Sequence, residues 1–558
     1  MATSCCQLLL SVVAAFSIAC SIVGNTGFAN ADNTPHLIWS PNLEDAIQPI
    51  TWNVTYGTAS PLGKPKLVLL INGQFPGPQI DTETNVNLQI NVFNSIDEPL
   101  LFTWNGVYQR RSSWQDGVLG TNCPILPGQN FTYFFQVKDQ IGSYFYFPST
   151  GFLKAAGGYG SLKIDNRVII PLPYPSPNGE IAVLIGDWFN ANHTDLQAQL
   201  DGGGSLRPPD GILINGKGPF GTSVTLDRGK TYRLRISNVG IATSLNFRIE
   251  GHNLTVVETE GSHTKQLSYE NLDIHVGQSY SVLVTLNRSP GDYYMVASSR
   301  FTTPVLNGIA VVHYSNSQSK VSGPLPPGPT IEIDYSLRQA KTITWNLTAN
   351  AARPNPQGSF RYGMINVTET AVIEGNSGRI DGKLRYAANS ISYVNPPTPL
   401  KLADYFNLGG VFSTNFPRTP GDGSPFLGTA VLSTGYRGFL ELVFQNDENI
   451  VQSWHIDGYV AFVVGFDGGR WSSASRNGYN LVDAVARSTV QVYPKSWTAV
   501  LLELDNVGMW HLRSQIWERQ YLGEQLYFKV PSPDGSFRNE APIPANVLLC
   551  GKAVGHHL

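Results

Sequence analysis

The chain has 558 residues, too many for one hydrophobic core, and ordinary domain sizes divide it into three or four units. Hydrophobic residues at 42% and charged residues at only 14% exclude a disordered chain, and a net charge of -3 offers no electrostatic case for nucleic acid or an anionic membrane. Gly 55 and Pro 37 fit many short strands joined by turns better than long helices.

Residues 1–31 contain no charged side chain, Leu8 to Val23 is mostly apolar, and Ala29-Asn30-Ala31 has the small-x-small form that signal peptidase accepts. The expectation is a signal peptide over 1–31, although Lys or Arg is missing before the apolar run. A membrane anchor is the alternative, and the run is short for a span. No other stretch is apolar enough to cross a membrane, and the tail Asn546–Leu558 is too short and polar for a lipid-anchor signal. The expected location is therefore extracellular.

Cys5, Cys6 and Cys20 would leave with the signal peptide, so Cys123 and Cys550 remain. An oxidising compartment makes one disulfide the default, worth at most about 6 kcal/mol by loop entropy; two buried free thiols are the alternative. Glycosylation sequons begin at Asn53, Asn130, Asn192, Asn253, Asn287, Asn346 and Asn366, of which Asn287 is weakened by Pro290. The reading is a secreted glycoprotein.

Alternating apolar segments follow in chain order: Lys66–Ile71, Val86–Val92 and Phe131–Val137, then Tyr232–Ile236 and Tyr280–Val284, then Gly438–Phe444 and Trp497–Leu504. The period of two predicts antiparallel strands with one buried face. Gln89–Asn94, Arg233–Asn238 and Glu441–Asn446 repeat one strand-to-Asn ending, which marks whole domains rather than solenoid repeats. Proline-rich joins at Pro171–Pro177 and Gly323–Pro329 separate them. The expected organisation is three β-sandwiches, at 32–168, 169–330 and 331–558.

Several motifs are more specific. Asn72-Gly-Gln-Phe-Pro-Gly-Pro78, Trp104-Asn-Gly106, Trp114-Gln-Asp-Gly117, Gly142-Ser-Tyr-Phe-Tyr146, Gly157-Gly-Tyr-Gly160, Ser453-Trp-His-Ile-Asp-Gly458 and Asp505-Asn-Val-Gly-Met-Trp510 occur in this order. The chain resembles the plant multicopper oxidases, that is, laccases and ascorbate oxidases. The resemblance implies an all-β fold of three cupredoxin-like Greek-key β-sandwich domains. It also implies a disulfide from the first domain to the C-terminus, as Cys123–Cys550 would make.

The family holds a mononuclear copper with Cys and His, and a trinuclear cluster with His-x-His pairs, a spacing that points both ligands to one strand face. On the resemblance, those ligand positions fall here on Thr103 and Asn105, Phe147 and Ser149, then Gln452, His455 and Asp457. Arg513, Ser514, Gln515 and Arg519 follow, with Glu524 at the axial position. Only His455 keeps a family ligand, and the sequence has no His-x-His. Guanidinium groups put fixed positive charge where a cation must sit, and Ser cannot replace Cys as a soft ligand. No copper cofactor is therefore expected. Gln452, Ser514 and Arg519 are expected to converge still, with carboxylate partners for the buried arginines.

Other candidates are weaker. His252, His263 and His275 read as separate surface or strand residues, and His556-His557 as part of a disordered tail. Glu258 and Glu260 are spaced as a pair of acids on a strand, but such pairs arise by chance. The pattern of losses resembles the SKU-similar (SKS) group and its pollen-type ascorbate oxidase homologues, a group linked to cell-wall expansion and pollen tube growth. Two readings stay open. One is a non-catalytic wall protein that binds a polysaccharide, a phenolic or a protein partner; the other is an oxidoreductase with an altered copper site around His455.

Overall fold

The computed structural model describes residues 46–219, 221–349, 365–533 and 538–557; the expected signal peptide lies outside them. Among the described residues the strands form six sheets, two in each of three successive regions. In the first, a sheet ordered Lys66–Ile71, Ile47–Ala59, Asn87–Asn94, Asn130–Gln136 faces another ordered Ile80–Glu83, Gly160–Asp165, Gly142–Pro148, Phe102–Asn105. Strands within Gly179–Tyr314 make a six-stranded and a five-stranded sheet, and those within Val367–Val530 an eight-stranded and a five-stranded one.

The repeated Asn ending has a structural reason. Asn87–Asn94, Thr231–Asn238 and Phe439–Asn446 each run parallel to the first long strand of their region. At each strand's end the Asn side chain is buried and makes the same turn. The Asn94 amide donates to the carbonyls of Glu98 and Ile125, and its oxygen accepts from the Ile96 N–H. Asn238 does this with Thr243, Ile274 and Gly240, and Asn446 with Ile450, Val492, Tyr493 and Glu448. Only a short amide side chain supplies both donors and acceptor there.

Alternation predicted one buried face per strand, and Asn87–Asn94 follows it, with Leu88, Ile90 and Val92 buried. Phe439–Asn446 differs, being buried on both faces. Its outward residues Phe439 and Val443 are covered by Phe462, Val464 and Trp497 and by Tyr108 from the first region. Packing by the third region's own segments, completed by Tyr108, thus overrides the one-sided pattern.

Cys123 and Cys550 form a disulfide with Cα atoms 5.9 Å apart, beside Trp114, Leu402 and Ala553. The expectation of a disordered tail is corrected: Ala553 is buried and the His556 ring lies 4.8 Å from that of Phe406. Among the described residues no helix is long and apolar enough to cross a membrane. Each of the seven sequon asparagines is exposed or half-buried.

Candidate functional site

Two polar centres occupy the positions that the motifs single out. The outer centre is built where the strands Gln452–Ile456 and Gly508–Ser514 pair, with Trp454 opposite Ser514 and His455 opposite Arg513. The short helix Trp517–Tyr521 carries Arg519, and the chain returns through Glu524 into Gln525–Val530. Arg519 Nη1 lies 2.6 Å from Glu448 Oε2 and 3.3 Å from Glu524 Oε1. Gln452 Nε2 donates to Glu448 Oε2 at 3.0 Å, and the Ser514 N–H donates to the Glu524 carbonyl at 3.1 Å. Gln452, Ser514, Arg519 and Glu524 therefore converge, around carboxylates. Glu448 completes the cluster and was not singled out by sequence; its only signal is an acid four residues before Gln452.

Burial pushes the Glu524 carboxyl up to about 7, with Arg519 pulling the other way. Burial opposes the charge on Arg519 as well, but Glu524 and Glu448 together raise its pKa. Gly375 makes room for this group, because a Cβ there would stand 2.3 Å from Glu524 Oε1.

The inner centre lies where all three regions meet. Phe102–Asn105 pairs with Gly142–Pro148, setting Thr103 opposite Phe147. Asn105 Oδ1 accepts from Gln515 Nε2 at 2.8 Å and Arg513 Nη2 at 3.4 Å, while Asn105 Nδ2 donates to the Gly277 carbonyl at 3.1 Å. Asp457 sits between two partners: Oδ1 is 2.9 Å from His455 Nε2, and Oδ2 is ion-paired with Arg513 Nη1. On its other side, His455 Nδ1 is 2.7 Å from the Thr489 hydroxyl.

Burial pushes the His455 imidazole down to about 4, and Arg513 adds to this. Asp457 is held below the ordinary carboxylate range: burial works against its charge, but Arg513 and His455 outweigh it. Nearby Asp116 goes the other way, raised by burial and by Asp457. Phe147 supplies no polar atom; its ring packs edge-on against Trp517 at 5.4 Å, and Lys154 Nζ lies 4.4 Å from its centroid. Burial, with Arg513, pushes the Lys154 amine down to about 7. Thr103 and Ser149 stay outside the network, Ser149 Oγ donating instead to the Gly117 carbonyl at 2.5 Å. Asp116 lies inside the Trp114-Gln-Asp-Gly117 motif, but Lys154 and Thr489 carry no signal in the sequence.

The remaining histidines are scattered. His252, His263 and His275 are buried rather than on the surface, and His252 and His275 bond to Tyr314 and Ser244 respectively. Glu258 is paired with Arg233 at 2.8 Å, and Glu260 accepts from Ser488 and Thr489, so each acid has its own partners.

Multicopper oxidase family models match residues 53–168, 179–317 and 397–536. The chain belongs to the multicopper oxidase family. It is 52% identical over 520 residues to an L-ascorbate oxidase homolog of Brassica napus, covering 91% of this chain and 94% of that protein. It is 51% identical to the monocopper oxidase-like protein SKU5 of Arabidopsis thaliana, covering 90% and 89%. Identity to an L-ascorbate oxidase of Cucurbita pepo var. melopepo is 29%, over 90% of this chain and 96% of that one. Among solved structures, the iron-import multicopper oxidase Fet3p superimposes with a TM-score of 0.72 at 20% identity, covering 87% of this chain and 90% of that one. A laccase of Botrytis aclada gives 0.72 at 22%, covering 91% and 93%. These two likenesses establish the shared fold.

Proposed function

We propose that this member of the multicopper oxidase family is a secreted, non-redox glycoprotein of the extracellular wall space, acting by binding rather than by electron transfer. The observation that carries the reading is the pair of ionic clusters, Arg519 with Glu448 and Glu524, and Arg513 with Asp457. Each sets a guanidinium, tied to carboxylates, at positions where the family's chemistry needs imidazole and thiolate. The donors present do not fit the family's coppers: a buried amide, a hydroxyl and two arginines cannot make a copper–thiolate centre. Of the family ligand positions only His455 offers an imidazole, and its Nε2 faces Asp457. The seven accessible sequon asparagines support an extracellular setting.

A cavity of about 610 Å³ beside the outer cluster supplies a surface for binding. Phe301, Ile331, Ile450 and Val451 give it an apolar side, and Arg519 and Glu518 a charged one. A phenolic or a wall polysaccharide suits such a mixed surface. The SKU-similar resemblance points the biological role toward wall expansion or pollen tube growth. The alternative is an oxidoreductase with a reduced copper site at His455, in keeping with the oxidase names of the relatives. Metal analysis of the purified protein, with oxygen uptake on phenols and ascorbate, decides between them. Copper-free, colourless protein with no uptake is expected; about one tightly bound copper per chain and uptake abolished by His455→Ala would establish the oxidase.

A further inference from the structure

The outward face of the first region's sheet Lys66–Ile71, Ile47–Ala59, Asn87–Asn94, Asn130–Gln136 carries two of the sequons, and the strand register sets them around one ring. Side chains alternate cleanly there: Pro49, Thr51 and Asn53, then Gln89, Asn91 and Phe93, then Asn130, Thr132 and Phe134 point away from the core. Two aromatic rings stand out from this largely polar face: Phe93, 41% exposed, and Phe134, 47% exposed.

Exposed rings occur singly on many surfaces, and the neighbours of Phe93 are what distinguish it. Asn53 is its partner across the parallel pair on one side, and Asn130 its partner across the antiparallel pair on the other. Cross-strand partners share a face, with side chains about 5 Å apart. Phe93 therefore stands between two asparagines in a single row across three strands. Phe134 is opposite Gln89 instead, in a row that ends at Pro49 and holds no sequon.

The two amides are also aimed. Asn53 Oδ1 accepts from the Ser95 hydroxyl at 2.7 Å, and Asn130 Nδ2 donates to Asn91 Oδ1 at 3.0 Å. Asn91 and Ser95 are the residues two before and two after Phe93, so each bond draws its amide toward the strand that carries the ring. Both asparagines are exposed and head complete sequons, Asn53-Val-Thr55 and Asn130-Phe-Thr132. Linkage to a sugar takes one amide proton, so Asn130 keeps a second N–H for Asn91, and Asn53 keeps the oxygen that Ser95 uses.

The donor in the secretory pathway is a lipid diphosphate carrying an oligosaccharide. The Asn Nδ2 bonds to C1 of its first N-acetylglucosamine and loses a proton, while the C1–O bond breaks and the diphosphate leaves with the electron pair. The attached pyranose has an apolar C–H face, which the electron-rich face of a phenyl ring attracts. Laying that face on Phe93 also removes apolar area from water.

We propose that Asn53 and Asn130 both carry N-glycans and that the first N-acetylglucosamine of each packs against Phe93, one from either side. Resting on the reading of the chain as a secreted glycoprotein, this arrangement closes the face to a macromolecular partner, which must then approach elsewhere.

The test uses the whole protein secreted from cells that make high-mannose glycans. Mass spectrometry of its peptides reports occupancy at each sequon. Thermal melts then compare protein trimmed by an endoglycosidase to one N-acetylglucosamine per site with protein stripped of its glycans by an amidase. Occupied Asn53 and Asn130 are expected, with the stripped form melting about 2 °C or more below the trimmed one. Phe93→Ser should shrink that difference by about half or more, whereas Phe93→Tyr and Phe134→Ser should keep it. Sugars at the other sequons contribute equally in all these backgrounds and cancel. An unoccupied Asn53 or Asn130, no difference between the two forms, or a difference unchanged by Phe93→Ser overturns the proposal. Glycans that are present but indifferent to Phe93 leave the secreted-glycoprotein reading standing, whereas no glycan at any of the seven sequons overturns both.

Discussion

Arg513 stands opposite His455 on paired strands, and both side chains converge on the carboxylate of Asp457. All three are buried, so the ion pair exists without solvent to support either partner if the other is lost. Asp457→Asn should therefore cost about 3–5 kcal/mol, because it strands a buried guanidinium. Arg513→Met alone should cost a similar amount, and the double variant Arg513→Met with Asp457→Asn clearly less than the sum. Urea denaturation of the four proteins completes the cycle; additive losses would mean that the pair is not coupled.

Gly375→Ala should destabilise the third region by about 1–3 kcal/mol, because the new methyl would overlap the Glu524 carboxylate. The carboxylate must move away from Arg519, so the loss should shrink when Glu524→Ala is made in the same chain. Thermal melts of both variants check this, and an unchanged loss in the double variant would contradict it.

Much of this arrangement was legible in the sequence, and the reasons separate the legible from the illegible. The strand-to-Asn repeat announced three equivalent domains because a buried amide at a strand end makes demands that only Asn meets. The order of motifs brought Gln452, Ser514, Arg519 and Glu524 together because paired strands fix which residues are opposite. Glu448 and Lys154 were not legible, since a loop acid and a buried amine become partners only through tertiary packing. The two-sided burial of Phe439–Asn446 and the docked tail fail for the same reason. Local alternation describes one sheet against water, not a sheet whose outer face is covered by other segments.

Asn238→Ala should cost about 2–3 kcal/mol, because the side chain satisfies the Gly240 N–H and the carbonyls of Thr243 and Ile274 in a buried turn. Asn94→Ala and Asn446→Ala should behave alike, since they repeat the turn. Chemical denaturation of the three variants measures this. A near-neutral result at all three would show the repeat to be without energetic weight.

Stability should also depend on pH through Glu524. Its folded pKa is raised to about 7 from an ordinary value of 4.5, so the native state binds the proton more tightly than the unfolded chain. The contribution is full below about 4.5 and is lost as pH rises through about 7, by up to about 3 kcal/mol. His455 acts oppositely: its pKa is lowered to about 4, so its contribution is lost as pH falls from about 6.5 toward 4. The two overlap, and the test is therefore a difference. Glu503, which burial also raises to about 7, titrates over the same range, so Glu524→Gln should reduce the loss between pH 4.5 and 7 while leaving the acid-side loss in place, and equal pH profiles for the two proteins would refute it.

One substitution should not restore what the outer centre lacks. Ser514→Cys adds a thiol to the cluster, and a thiolate is what gives copper an intense blue absorption. The variant should nonetheless stay colourless with Cu(II), because Gln452 offers an amide and Arg519 a fixed cation, tied to Glu448 and Glu524. A cation entering beside that guanidinium meets repulsion, and the thiolate alone cannot hold it in a defined geometry. Replacing the guanidinium and the amide as well, with Gln452→His and Arg519→His, removes the fixed charge and supplies two imidazoles. The triple variant should then gain copper and colour, read by absorption spectroscopy and metal analysis. Blue colour in the single Ser514→Cys variant would mean that the residues already present can ligate copper, and the non-redox reading of this centre would have to be abandoned.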